Sequence, residues 1–552
     1  MRRAYWRIAA FALIGLSVLD GGAVTKVEVV VSPSLIYLRP GQDTVFQALV
    51  VGAKAQKVIW SASQGTITSS GVYTAGASGG SATITARWAH DRKQFGNATA
   101  TVVVSPVSYS LARTDQFPQA LPSPMPSWGG LYGIGTKWCD PAFSGLCSIR
   151  VTDGATSGSS QSTLQTADSG EQPLFTVDSK HLVVKTPGGR EYVVGFDPTT
   201  EAVSRTPIAF RYDSVVASRH DPQLLYGADG TKLRFIRMKA DWSGVESDQT
   251  LFDFATCLPN GFQLTWSGTF GTVLEDNSFR IAFSNTGGQG SGIYLAAYQT
   301  ETIGTIGSGC YVLNTREGTV TGPNGFIGTV DDGVNPLLDR FTEHEGGGGQ
   351  NPLYAMVGYS AKQPDGSSGC LAGSCPTNSP YVWEVGTTHL RPCSIECDGH
   401  AAKGYAGWET GKQYRLHRYS DPTQPLIPMA QFPPGFPDQH GSWVNTDEQD
   451  TPPAFLVSSA VNQAIPYPTW GYDEILAVAS DGSQKTWRFG QTLNSGTSEY
   501  FIVQYAIGVV SQDGRWLAYA SDSCGAGCPS PAPLGYDKKG KPRGDVFIRE
   551  LR

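Results

Sequence analysis

Short runs in which apolar and polar residues alternate recur along the chain, and no stretch keeps an apolar period of 3.6 for long. The runs are rich in Val, Ile, Thr, Tyr and Trp and lie between Gly, Asp, Asn and Pro clusters, which predicts strands and few helices. Between residues 25 and 105 the alternation places strands at Val27–Val31, Thr44–Val51, Lys57–Ser61, Ala82–Trp88 and Ala98–Val104. The pattern then breaks. Pro106, Pro118, Pro122, Pro124 and Pro126 leave little apolar periodicity, so an extended linker is expected over 106–130. From 131 to 552 strand-like runs return, clearest at Tyr192–Asp197, Gln223–Gly227, Phe279–Ser284 and Val510–Asp522.

The first residues read differently. Arg2, Arg3 and Arg7 precede the apolar run Ile8–Leu19, and Gly21 and Ala23 supply small residues at a cleavage point. A signal peptide over 1–24 is expected, hence a secreted, periplasmic or cell-surface protein. No Cys follows the run, which argues against a lipid anchor, and no later segment suits a membrane span, so none is expected after the signal is removed. Net charge is −7 and the pI about 5.7, without a basic stripe, so nucleic acid is not an expected partner. The chain is expected to be a monomer.

There are ten cysteines, and an even count in an exported chain favours disulfides over a zinc site. Cys139/Cys147, Cys370/Cys375, Cys393/Cys397 and Cys524/Cys528 are close pairs, leaving Cys257 and Cys310 for each other. Disulfides are the favoured reading. Cys393 and Cys397 beside His400 leave a zinc knuckle as the alternative.

Two resemblances sharpen the domain picture. Val58-Ile59-Trp60-Ser61-Ala62-Ser63-Gln64-Gly65-Thr66-Ile67, Gly71-Val72-Tyr73-Thr74-Ala75 and Ala98–Val104 resemble the bacterial Ig-like domain family. This implies a Cys-free β-sandwich over 25–105, with Trp60 as its buried anchor and a tight turn before Val72, serving as a spacer. Val510-Ser511-Gln512-Asp513-Gly514-Arg515-Trp516-Leu517-Ala518-Tyr519-Ala520-Ser521-Asp522 resembles the repeat of Tol-Pal-type bacterial propellers. Asp513-Gly514 is read there as a two-residue hairpin turn. The expected architecture is therefore all-β: an N-terminal Ig-like sandwich and a C-terminal β-propeller over 131–552. Seven blades are favoured, eight are the alternative, and a two-sheet sandwich is less suited to the length. Closure is expected where Ser148–Thr152 joins the blade containing Asp545–Arg549, which would remove the open edges of the ring.

The candidate chemistry lies in a second repeat. Asp398-Gly399-His400 precedes Gly404-Tyr405-Ala406-Gly407-Trp408, and Asp438-Gln439-His440 precedes Gly441-Ser442-Trp443, 40 positions later. Successive blades would bring the two histidines into one pocket at the channel mouth. His344, flanked by Glu343 and Glu345 and followed by four glycines, would begin the preceding blade. Three readings stay open. The histidines are blade-to-blade structural groups, proton-transfer groups, or ligands of a divalent metal whose presence the sequence does not require. His90, His181, His220 and His417 read as structural.

Gly-x-Ser-x-Gly and His-Glu-x-x-His are absent, and Ser480–Trp487 only faintly resembles a sialidase Asp-box. A looser resemblance, of architecture alone, is to propeller polysaccharide lyases. It implies β-elimination on an acidic glycan, with His400 or His440 as base and Tyr405 donating to the leaving oxygen. Arg415, or a metal held by histidines, would neutralise the carboxylate, while Trp408 and Trp443 would stack on sugar rings. Two functions are thus expected to compete. One is binding, with or without cleavage, of an extracellular acidic polysaccharide. The other is a non-catalytic adhesin or scaffold whose propeller takes a surface ligand.

Overall fold

The computed structural model describes residues 27–551 apart from 39, 103–108, 158–173, 187–189, 213–214, 219, 259–270, 276–278, 287–291, 300–308, 315–316, 331–353, 358–380, 393–395, 401–403, 410–412, 419–420, 432–438, 444–453, 459–469, 480–481, 495–507, 525–531 and 537–538. In most strands between 271 and 299, in 354–357, and in the strands from 391 to 458, the backbone path alone is described. Strands dominate. Among the described residues, helix is limited to the turn Gly154–Ser157 and the 3-10 turn Phe254–Thr256, and no helix is long and apolar enough to cross a membrane.

The N-terminal unit has three small sheets. Glu28–Ser32 pairs with Gln47–Val51; Leu35–Leu38, Phe95–Val102, Gly80–Trp88 and Val58–Ala62 form a second sheet; Asp43–Val45, Val72–Thr74 and Thr66–Ile67 form a third. Alternation explains the packing: in Glu28–Ser32, Val29 and Val31 point into the core while Glu28, Val30 and Ser32 face water. The run expected over Thr44–Val51 splits in two, with buried Phe46 at the break. The expected turn before Val72 is present. Gly71 has φ +87°, and a Cβ there would stand 2.2 Å from the Phe46 carbonyl oxygen, so only glycine fits.

Trp60 is not the buried anchor. It is half-buried at the core's margin, and Tyr73, edge-to-face with Phe46 at 6.0 Å, fills the centre. The Trp60 strand lies at the edge of its sheet, where one flank of a large ring stays open. Trp60→Ala is therefore expected to cost about 1–2 kcal/mol, below the roughly 3–5 of a fully enclosed indole. Thermal unfolding of the two chains measures this, and a loss above that range would show that the ring is enclosed.

Beyond residue 136, seven antiparallel sheets succeed one another among the described residues. Six follow in chain order: His181–Phe210, Val215–Asp253, Gly271–Thr329, Tyr354–Pro392, Glu396–Gln431 and Gln439–Gln491. The seventh joins both ends of the unit. Its order is Lys137–Cys139, Cys147–Arg150, Asp545–Glu550, Trp516–Ser521, Gly508–Val510. Ser148, Ile149 and Arg150 pair with Arg549, Ile548 and Phe547, the closure expected from the sequence. First strands of successive sheets approach one another: Glu396–His400 lies against Gln439–Trp443, which lies against Gly508–Val510. Sheets set side by side through their first strands, with the last completed by an early strand, make a β-propeller.

Segment 109–130 forms no strand, but it is not free of the propeller. Tyr109 is buried edge-to-face against Trp487 and Phe489, and Trp128 is buried against Phe547 with its indole N–H donating to the Ser523 hydroxyl at 2.5 Å. Arg113 and Arg488 exchange backbone hydrogen bonds across the outer strand Thr486–Gln491. Disulfides join Cys139 to Cys147 and Cys257 to Cys310, and Cys524 is also disulfide-bonded. Cys370, Cys375, Cys393 and Cys528 lie outside the described residues.

The Asp513-Gly514 hairpin differs from expectation. Four residues, 512–515, separate the ladder-ending Ser511 and Trp516, whose backbones bond at 2.7 Å. The Asp513 carboxylate accepts from the Ser511 hydroxyl at 2.6 Å and the Arg515 N–H at 3.1 Å, and Gly514 takes φ +69°. The same bonds recur at Thr176–His181. Asp178 accepts from the Thr176 hydroxyl and the Lys180 N–H, and Ser179 takes φ +61°. Ser218–Leu224 is a longer version built on the Ser218 hydroxyl. The Ser511 and Ser218 turns join the first and second strands of their blades, the Thr176 turn leads from Phe175, bridged to Leu182, into its blade, and together they define one rim of the ring.

Candidate functional site

The two histidine motifs fall on first strands of neighbouring sheets. His400 is the last residue of Glu396–His400 and pairs with Tyr405, in the strand that follows, just after a bulge at Asp398. Tyr405 pairs in turn with His417, Gly407 with Arg415, and Trp408 with Glu396 and Tyr414. His440 is the second residue of Gln439–Trp443 and pairs with Val457, while Trp443 pairs with Ala454. His344 lies outside the described residues.

The register separates what the sequence repeat aligns. His400 adjoins a turn from first to second strand, so it stands on the rim that also carries Asp513 and Asp178. His440 stands where the second strand ends, since its neighbour Gln439 pairs with Ser458, the last residue of that strand. Blades are related by rotation about the axis, so His400 and His440 occupy opposite rims.

The turn rim is partly taken. The Tyr37 N–H donates to the His220 carbonyl at 2.9 Å, and His220 Nδ1 donates to the Tyr37 carbonyl at 2.9 Å. Tyr37 belongs to Leu35–Leu38, an edge strand of the N-terminal unit, and His220 to the turn between Val215–Ala217 and Leu224–Asp229. The N-terminal unit therefore meets the propeller on the turn rim. On the opposite rim end the strands Ala454–Ser458, Thr486–Gln491 and Trp516–Ser521, and His440 stands there near the start of its own strand.

Beneath that open rim lies a polar array that the sequence pattern does not announce. Asp545 accepts from Arg150 Nη2 at 2.6 Å, from Arg543 Nε at 2.9 Å and from the Thr152 hydroxyl at 3.0 Å; all four residues are buried. Arg543 also donates to the Ser157 hydroxyl at 2.8 Å. In the next sheet Asp473, at φ +54°, accepts from the Thr492 hydroxyl and the Asn494 N–H. Burial pushes the Asp473 carboxyl well above the usual carboxylate range, against the pull of those bonds, and the charge of nearby Asp522 adds to the rise. The array holds the closing blade together and fixes the backbone of the open rim. Among the described residues no cluster of three His, Cys, Asp or Glu could hold a metal.

No protein-family model matches the chain, and no curated protein matches it. Solved structures similar to it include the RRP9 WD40 repeats, at 10% identity and a TM-score of 0.36, covering 71% of this chain and 98% of that one. The Dos1 propeller follows at 9% and 0.33, covering 78% and 95%. BamB from Moraxella catarrhalis is similar at 11% and 0.28, covering 68% and 84%. Such loose likeness carries no argument about function. What makes this chain a propeller is its own sheet order and closure.

Proposed function

We propose that the chain is an exported, seven-bladed ligand-binding propeller carried by an Ig-like spacer, and that it takes an extracellular polysaccharide at the rim opposite the spacer. The contact of Tyr37 with His220 carries this reading, because it commits the spacer to the turn rim and leaves the opposite rim to a ligand. Loops on a rigid scaffold are where binding residues concentrate. Binding is favoured over a β-elimination that draws on both histidines. An elimination site built from both histidines needs them in one pocket, and their strand positions put them on opposite rims.

Titrating the full secreted chain with anionic and neutral polysaccharides, with and without chelator, tests the proposal. Binding that survives chelator, with no unsaturated uronate product, is expected. His440→Ala is expected to weaken binding and His400→Ala to leave it unchanged. Failure to bind any polysaccharide would overturn the reading, and release of unsaturated product would restore the lyase.

A further inference from the structure

We propose that the closing seam of the open rim is a subsite for an anionic polysaccharide, formed by Tyr132, Tyr536, Lys539 and Lys541. The inference rests on the polysaccharide reading above and adds where the glycan is held and what charge it carries.

The first observation is exposure on a stiff backbone. Tyr132 is 70% exposed and Tyr536 is 44% exposed. Across 131–157 and the described part of 532–551 they are the only exposed large apolar side chains. The turn bearing Tyr132 cannot relax to bury its ring. Buried Arg150 donates through Nη1 to the carbonyls of Trp128 at 2.7 Å and Gly130 at 2.5 Å. The Ile134 N–H donates to Asp153, and the Gly154 N–H to the Leu131 carbonyl. A Cβ at Gly133 would stand 1.7 Å from the Trp128 carbonyl oxygen, so the chain passes there only as glycine. Tyr536 is tied as well, its hydroxyl accepting from the Ala532 N–H at 3.2 Å and its backbone bridged to Pro542.

The second observation is adjacency. A Cβ at Gly535 would lie 3.5 Å from the Leu131 nitrogen, so the two turns touch there. Tyr132 and Tyr536 are each the next residue along. Two exposed aromatic residues thus share one stretch of rim on a tied backbone, and among the described residues of these two turns no exposed aliphatic side chain joins them.

The third observation is charge. Lys539 and Lys541 follow Tyr536 within five positions, in a protein of net charge −7. Lys539 and Lys541 are exposed. Aromatic faces suit the C–H faces of sugar rings, and ammonium groups beside them suit uronate carboxylates or sulfate esters.

The test is calorimetric titration of the full chain with polygalacturonate, alginate and chondroitin sulfate, against neutral galactan. At least one anionic polymer is expected to bind, with affinity falling as salt rises. Tyr132→Ala with Tyr536→Ala should weaken it roughly tenfold or more, while Trp at both positions should retain it. Lys539→Gln with Lys541→Gln should weaken anionic binding and flatten its salt dependence, with melting temperatures checked for every variant. Anionic binding unchanged in the alanine variant would overturn the subsite and leave the polysaccharide reading standing. Binding of galactan alone would overturn the anionic assignment. No binding of any polymer would overturn both readings.

Discussion

Replacing Asp545 with Ala is expected to cost about 3–5 kcal/mol of stability, the usual penalty for stranding a buried charge. Its carboxylate is fully buried, as are the guanidinium groups of Arg150 and Arg543 that bind it. Removing it takes from two fully buried guanidinium groups the carboxylate they share. The position makes the loss larger in consequence than in kilocalories. Arg150 and Asp545 are 395 positions apart, and their bond lies where the early strand Cys147–Arg150 completes the last blade. Weakening that joint opens two sheet edges, so unfolding should begin there, and protease cleavage between 522 and 544 should accelerate. Changing Arg150, Arg543 and Asp545 together to Met, Met and Leu should recover much of the loss, because none of the three buried charges then remains. Urea unfolding of the three proteins decides it. A wild-type midpoint for Asp545→Ala would show that the seam does not hold the ring closed.

Closure was legible in the sequence because it depends on strand pattern alone. Ser148–Thr152 alternates, Asp545–Arg549 carries the apolar run Val546–Ile548, and each lies near one end of the large β unit. The buried array was not legible, because Arg150, Asp473, Arg543 and Asp545 have the residue types of a solvated surface, and only the packing of distant strands encloses them. Trp60 misleads for a related reason. Size marks a side chain as an anchor, but an edge strand leaves one flank open, and the smaller Tyr73 holds the centre. The turn repeat was in plain view: Thr176-Val177-Asp178-Ser179-Lys180-His181-Leu182 parallels Ser511-Gln512-Asp513-Gly514-Arg515-Trp516-Leu517. Pairing by sequence proximity favours the two histidine motifs 40 positions apart and overlooks copies 335 apart. In a ring the first and last blades are neighbours, so the informative copies are those farthest apart, and Ser179 and Asp513 meet at 3.5 Å.

That repeat explains why His181 should make the protein acid-sensitive. It occupies the place that Trp516 holds in the closing blade, stacked face to face on Trp242 with ring centroids 3.6 Å apart. Burial holds its imidazole at a pKa of about 4, with the Lys180 charge lowering it further, and Nδ1 has no hydrogen-bond partner to receive a second proton's N–H. An unfolded chain takes up that proton near pH 6.5. Between about pH 6.5 and 4 the unfolded state binds more protons than the folded one, so stability falls as pH falls through this window and levels off below it. The whole drop amounts to about 3 kcal/mol at most, because each pH unit crossed inside the window removes about 1.36 kcal/mol. Carboxyls raised by burial, such as Asp140 and Asp473, push the other way, because a neutral acid suits their sites. The readout is therefore the difference between two proteins and not the slope of one. His181→Phe keeps a flat ring against Trp242 and has nothing to titrate. Its advantage over the wild type should be small at pH 7.5 and grow steadily down to about pH 4. Parallel stability curves for the two proteins would mean that His181 is protonated in the folded state as readily as in water.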